Sequence, residues 1–129
     1  MDVVGSYPGD NRLHTNVAWW ENPGNGAGNR ARHHVGAILY RDADWFAIGE
    51  LNGDGRSDII VTEEISVRPY RPAHLFWFQQ PTNPKSPGWI RHTVMEGYTL
   101  KSLDVVDMDK DGDLDVVTCE QRGTRKLMI

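Results

Sequence analysis

The chain has 129 residues and a formal net charge of −4, which suits one domain and argues against a nucleic-acid binder. Hydrophobic residues make up 39% and charged residues 25%, a globular balance rather than that of a disordered tail. No apolar run approaches the ~20 residues of a membrane-spanning helix, and the single cysteine, Cys119, excludes an internal disulfide and a Cys-based zinc site.

Asp2-Val3-Val4 opens the chain as a short β-branched segment behind a carboxylate. Next come Trp19-Trp20-Glu21-Asn22-Pro23 and Arg32-His33-His34-Val35, each bounded by turn residues. The nonapeptide 50–58, E-L-N-G-D-G-R-S-D, leads into Ile59-Ile60-Val61-Thr62. Four β-like segments follow at roughly 57–64, 74–80, 89–95 and 100–107. A second nonapeptide, 107–115, D-M-D-K-D-G-D-L-D, leads into Val116-Val117-Thr118, with Cys119 expected to be buried behind it. The chain closes on Lys126-Leu127-Met128-Ile129, read as the next strand. No stretch sustains the i, i+3, i+4, i+7 pattern of a helix.

These elements repeat. Glu50 and Asp107 are 57 residues apart, as are Asp58 and Asp115; Trp19 and Trp77 are offset by 58, and Arg32 and Arg91 by 59. Four strands per period of about 57 residues is the arithmetic of a β-propeller blade. A β-sandwich does not predict such a period. The expected fold is therefore all-β: one partial β-propeller spanning 1–129, of about two and a half four-stranded blades, with parts near 1–56, 57–113 and 114–129. Propellers close with typically 4–8 blades. The expectation is a fragment completed by missing blades, or copies that self-associate into a ring.

The two nonapeptides hold eight of the eighteen acidic residues, and their combined charge is −6 while the rest of the chain is +2. A hard cation such as calcium takes six to eight oxygens at ~2.3–2.6 Å. Alternate positions of a tight loop can supply them. In the second loop these are Asp107, Asp109, Asp111, the carbonyl of Asp113, and Asp115, with Gly112 at the turn. In the first they are Glu50, Asn52, Asp54, the carbonyl of Arg56, and Asp58, with Gly55 at the turn. Two Ca²⁺ sites are expected, the first weaker because Asn52 replaces a carboxylate. An EF-hand opens with the same spacing, but it needs a Glu at the twelfth position. Here that position is Val61 or Thr118, and a β-branched run follows instead of a helix.

The pattern D-x-[DN]-x-D-G-x-x-D before a hydrophobic strand resembles the calcium-binding FG-GAP-like, or VCBS-type, repeats of β-propellers. V-A-W-W-E-N-P-G at 17–24 and the later R-H-H-V are similar to the same repeats in extracellular proteins. The resemblance covers nearly the whole chain. It implies a calcium-stabilised repeat module, extracellular or secreted, that binds carbohydrate or protein and is not catalytic alone. It also admits a fragment of a sugar lyase of the aldos-2-ulose dehydratase type, or an integrin-like adhesion scaffold. Phe-Gly before the loop and Gly-Ala-Pro after it, both part of the integrin-type pattern, do not occur here.

Other ligand candidates are His33, His34 and His92, which with Glu21 or Glu63 offer a transition-metal or acid–base site. Against this stands a structural role for a repeated Arg-His element. Trp45 lies outside the repeated aromatic positions, which leaves it open to a sugar ring. Arg68, Tyr70 and Arg71 in the long 65–74 connection could meet an anionic or sugar ligand. His14 and His74 have no carboxylate at a telling spacing.

Overall fold

The computed structural model describes residues 1–10, 14–24, 28–39, 42–64, 72–121 and 127–129. Among these residues there is no helix, and ten strands form three antiparallel sheets. The first sheet holds β1 (Val3–Pro8), β2 (His14–Trp20) and β3 (Arg32–Leu39). The second holds β4 (Asp42–Gly49), β5 (Asp58–Glu64), β6 (Ala73–Gln79) and β7 (Ile90–Gly97). The third holds β8 (Leu100–Val106), β9 (Asp115–Glu120) and β10 (Leu127–Met128). Strands lie in chain order within each sheet. Three, four and three strands make the two and a half blades that the repeat predicts. The sheets are offset by one strand from the sequence repeat, because each acidic loop joins the first two strands of a four-strand unit.

The apolar pattern explains how the sheets stack. In β5, Ile59, Ile60 and Val61 are all buried. Successive side chains of a strand point to opposite faces, so a continuous apolar run means burial on both faces. Ile59 and Val61 join Val17, Trp19, Val35 and Ile38 of the first sheet in one core, with Phe76 and Phe78. Ile60 joins Leu75 and Leu100 in a second core, packed by Leu103, Val105 and Val116 of the third sheet. The middle sheet is thus covered on both sides.

Irregularities repeat as well. The β2–β3 register shifts between Val17 and Ala18, and the β6–β7 register shifts between Leu75 and Phe76, 58 residues on. A bulge strengthens the twist that stacked sheets need. Beside the first bulge, Gly36 lies under the Phe78 ring, and an added Cβ would sit 2.4 Å from Phe78 Cε1. We expect Gly36→Ala to cost about 1–3 kcal/mol through this overpacking, read as a lower urea midpoint. An unchanged midpoint would show that the ring yields freely.

Polar ties also cross between sheets. Trp19 Nε1 of the first sheet and Trp89 Nε1 both donate to the Pro84 carbonyl, at 3.1 and 3.2 Å. Lys85 Nζ lies 2.8 Å from Glu21, and Arg91 donates to the Ala37 carbonyl at 3.0 Å. The ion pair with Lys85, then the contact with His33, holds the Glu21 carboxyl below its ordinary range against a desolvation effect that raises it. Between the second and third sheets, Lys101 Nζ bridges Asp44 and Glu64. Burial works to lower the Lys101 pKa, but the bonds to Asp44 and Glu64 outweigh it and raise it. Cys119 is half-buried rather than buried, and its thiol donates to the Lys101 carbonyl at 2.8 Å.

Candidate metal centre

The two acidic loops join β4 to β5 and β8 to β9. Asp and Asn side chains that bond the backbone two residues on build tight Asx turns. Here they do so at matched positions. Asn52 Oδ1 accepts the Asp54 N–H at 3.2 Å, and Asp109 Oδ1 accepts that of Asp111 at 3.1 Å. Asp54 Oδ1 accepts the Arg56 N–H and Asp111 Oδ1 that of Asp113, both at 2.9 Å. Gly55 and Gly112 take positive φ, 77° and 100°, as their turn positions require. A second left-handed position, Gly53 in one loop and Lys110 in the other (φ 73° and 62°), was marked in the sequence only by Gly53.

The loops differ in what their carboxylates do. In the second, Asp107, Asp109 and Asp115 each bring one oxygen within 4.8 Å of the others, about the diameter of a calcium–oxygen shell. This is the one such group among the described residues. Asp107 Oδ2 accepts the Gly112 N–H at 3.1 Å, while Oδ1 is buried without a hydrogen-bond partner. Asp115 Oδ2 accepts the Met108 N–H at 2.9 Å. A buried anionic oxygen without a donor beside two further carboxylates is electrostatically costly, and a cation resolves that cost. Asp111 and Asp113 lie outside the converging group.

In the first loop the negative groups already have donors. Glu50 Oε1 accepts the N–H groups of Asn52, Gly53 and Asp54 at 2.9, 2.7 and 3.2 Å. Its counterpart Asp107 accepts one N–H from its turn, that of Gly112. The Arg56 guanidinium pairs with Asp54 and donates from Nε to the Gln80 carbonyl at 2.9 Å. Burial tends to raise the Asp54 pKa, but the Arg56 N–H, the Asn52 and Gln79 side chains and the Arg56 charge together hold it below the ordinary range. Asp58 is fully buried, accepting from Gln80 N at 2.9 Å and Leu51 N at 3.3 Å. The sequence reading assigned Arg56 only a backbone carbonyl; its side chain occupies the cationic role in this loop.

Residues 51–118, from the first acidic loop through the second and into β9, match the FG-GAP-like repeat family. The chain belongs to this family. No curated protein and no solved structure matches it, and nothing in these comparisons supports the aldos-2-ulose dehydratase relation. The FG-GAP-like match covers the first loop after Glu50, strands β5 to β8 and the whole second loop, and β4 precedes it.

The histidines of the FG-GAP-like chain are not gathered at one site. His33 stacks on Trp19 with centroids 4.2 Å apart and lies 3.2 Å from Glu21 Oε2. His92 stacks on Trp77 at 4.4 Å and lies 3.3 Å from Gln79 Oε1. Trp19–His33 and Trp77–His92 are cross-strand partners, so the repeated Arg-His element builds the same stacked pair twice. His34 Nδ1 lies 3.2 Å from the Tyr7 hydroxyl. Trp45 is largely exposed, and its backbone N–H donates to Thr62 Oγ1 at 3.1 Å. Arg68, Tyr70 and Arg71 lie outside the described residues. A grouping the sequence reading missed is His74, whose Nδ1 lies 2.7 Å from the buried Glu63 and whose Nε2 lies 3.4 Å from Glu96. Its signal was the cross-strand position of Glu63 and His74, legible only once β5 and β6 are paired.

Proposed function

We propose that the chain is a calcium-stabilised FG-GAP-like repeat module that presents a rigid β surface to a carbohydrate or protein ligand outside the cell, with no catalysis of its own. The observation that carries the metal reading is the convergence of Asp107, Asp109 and Asp115 around the unpartnered Asp107 oxygen. The cation acts on stability: it neutralises carboxylates that otherwise repel, and it locks the β8–β9 connection. The first loop is the weaker site, because Arg56 and three backbone N–H groups compete for its oxygens. The ligand-binding and extracellular parts of the reading rest on the family and on the likeness of the repeat segments.

The test is calorimetric titration of the full chain with calcium, with a chelated control. One dominant binding event is expected, lost in Asp109→Ala. A titration without heat at any calcium concentration, or one unchanged in Asp109→Ala, would remove the site from the second loop.

A further inference from the structure

Asn52 and Gly53 are adjacent in the first acidic loop, and both are exposed. An asparagine before a glycine brings together an electrophile and a nucleophile that close a five-membered ring: the side-chain amide carbon of the first and the backbone nitrogen of the second. Glycine leaves that nitrogen unhindered because it has no side chain. Here Gly53 takes a positive φ of 73°, and a Cβ placed on it would meet nothing within 4 Å, so the ring has open space around it.

The loop surrounds this pair with the groups the ring closure needs. Glu50 Oε1 lies 2.7 Å from the Gly53 nitrogen, the closest of the three N–H groups it accepts. A carboxylate hydrogen-bonded to that N–H is placed to take its proton as the nitrogen attacks. Asn52 Oδ1 accepts the Asp54 N–H at 3.2 Å. The same donor stabilises the negative charge that grows on Oδ1 as the amide carbon becomes tetrahedral. The second loop is built otherwise. Asp109 and Lys110 stand at the matched positions, and Asp107 Oδ2 accepts from Gly112 instead.

We propose that Asn52-Gly53 is a self-modifying site, at which Glu50 acts as the base for deamidation of Asn52. The Gly53 nitrogen bonds to Asn52 Cγ and gives its proton to Glu50. Glu50 returns the proton to the amide nitrogen, the Cγ–Nδ2 bond breaks with its electron pair, and ammonia leaves. Water then opens the cyclic imide. Breaking the new Cγ–N bond leaves aspartate; breaking the original peptide bond leaves isoaspartate, with the chain running through Cγ. One water enters, one ammonia leaves, and nothing is oxidised or reduced. Either product lowers the formal net charge of −4 by one, and aspartate gives the loop the carboxylate that Asp109 supplies in its counterpart. The change accumulates with time, so the charge of this loop records the age of the chain. The reaction draws only on the chain and water, and it stands independently of the calcium reading.

The test ages the full chain at neutral pH in chelator and digests it with trypsin. The fragment 42–56 contains Asn52 as its one asparagine. Mass spectrometry of that fragment is expected to show a gain of one mass unit, accumulating faster in the folded protein than in the same chain unfolded in urea. Glu50→Gln keeps an oxygen that accepts the three N–H groups but cannot hold the proton. It should slow the folded rate at least about tenfold, a modest part of what a positioned base contributes, and leave the unfolded rate unchanged. The comparison of folded with unfolded wild type involves no substitution, so it decides however the variant folds. A folded rate equal to or below the unfolded one, or one that Glu50→Gln leaves unchanged, overturns the proposal.

Discussion

Calcium at a hundredfold excess over its dissociation constant is expected to raise the melting temperature by on the order of 10 °C. Binding to the native state alone adds about 2.7 kcal/mol at that excess, and domains of this size gain several degrees per kcal/mol. Asp107→Ala should abolish the gain. Asp107 supplies one of the three converging oxygens, and its Oδ1 is buried without a donor. In chelator the same substitution should change little, since the lost bond to the Gly112 N–H is offset by relief of repulsion among the remaining carboxylates. Differential scanning calorimetry of both proteins, with calcium and with chelator, reads this directly. A wild-type melting temperature indifferent to calcium would sink the stabilising role.

Asp58→Ala should destabilise the protein by about 3 kcal/mol, and by the same amount with calcium or chelator. Asp58 is fully buried, and its two oxygens tie the start of the first loop, through Leu51 N, to the residue after β6, through Gln80 N. Removing a buried acceptor leaves those donors unsatisfied, and each hydrogen bond to a charged group is worth roughly 1.5–3 kcal/mol. Asp58→Asn, which keeps one carbonyl oxygen, should cost about half as much. Denaturant unfolding in the two conditions separates this structural role from the ligand role that the repeat pattern suggests. A penalty that shrinks in chelator would return Asp58 to a metal site.

The strands were legible because their signals are local. The segments expected at 57–64, 74–80, 89–95 and 100–107 fall within two residues of β5, β6, β7 and β8 at each end, since β-branched and aromatic runs between Gly, Pro, Asn and Asp leave little choice. The turn glycines Gly55 and Gly112 were legible for the same reason. The division of labour between the two acidic loops was not. Both carry oxygen groups at the same spacing, and nothing local shows that Arg56 turns back on Asp54 while reaching the Gln80 carbonyl, 24 residues on. Nor does spacing show that Asp58 is buried under β6 whereas Asp115 joins Asp107 and Asp109.

The histidines follow the same division. That Arg32-His33 and Arg91-His92 occupy one repeat position is written in the sequence. That each imidazole stacks on a tryptophan of the neighbouring strand, and that His74 is the one paired with a buried carboxylate, arises only when strands come into register. The sequence by itself determined the all-β character, the 57-residue period and the positions of the acidic turns, because propensity and turn chemistry act over a few residues. Only the tertiary structure decided which carboxylates face one another and which are neutralised by the protein's own donors. Those outcomes depend on how each loop closes in three dimensions and on distant partners such as the Gln80 backbone, 24 residues from Arg56 and 22 from Asp58, brought close by packing of the strands.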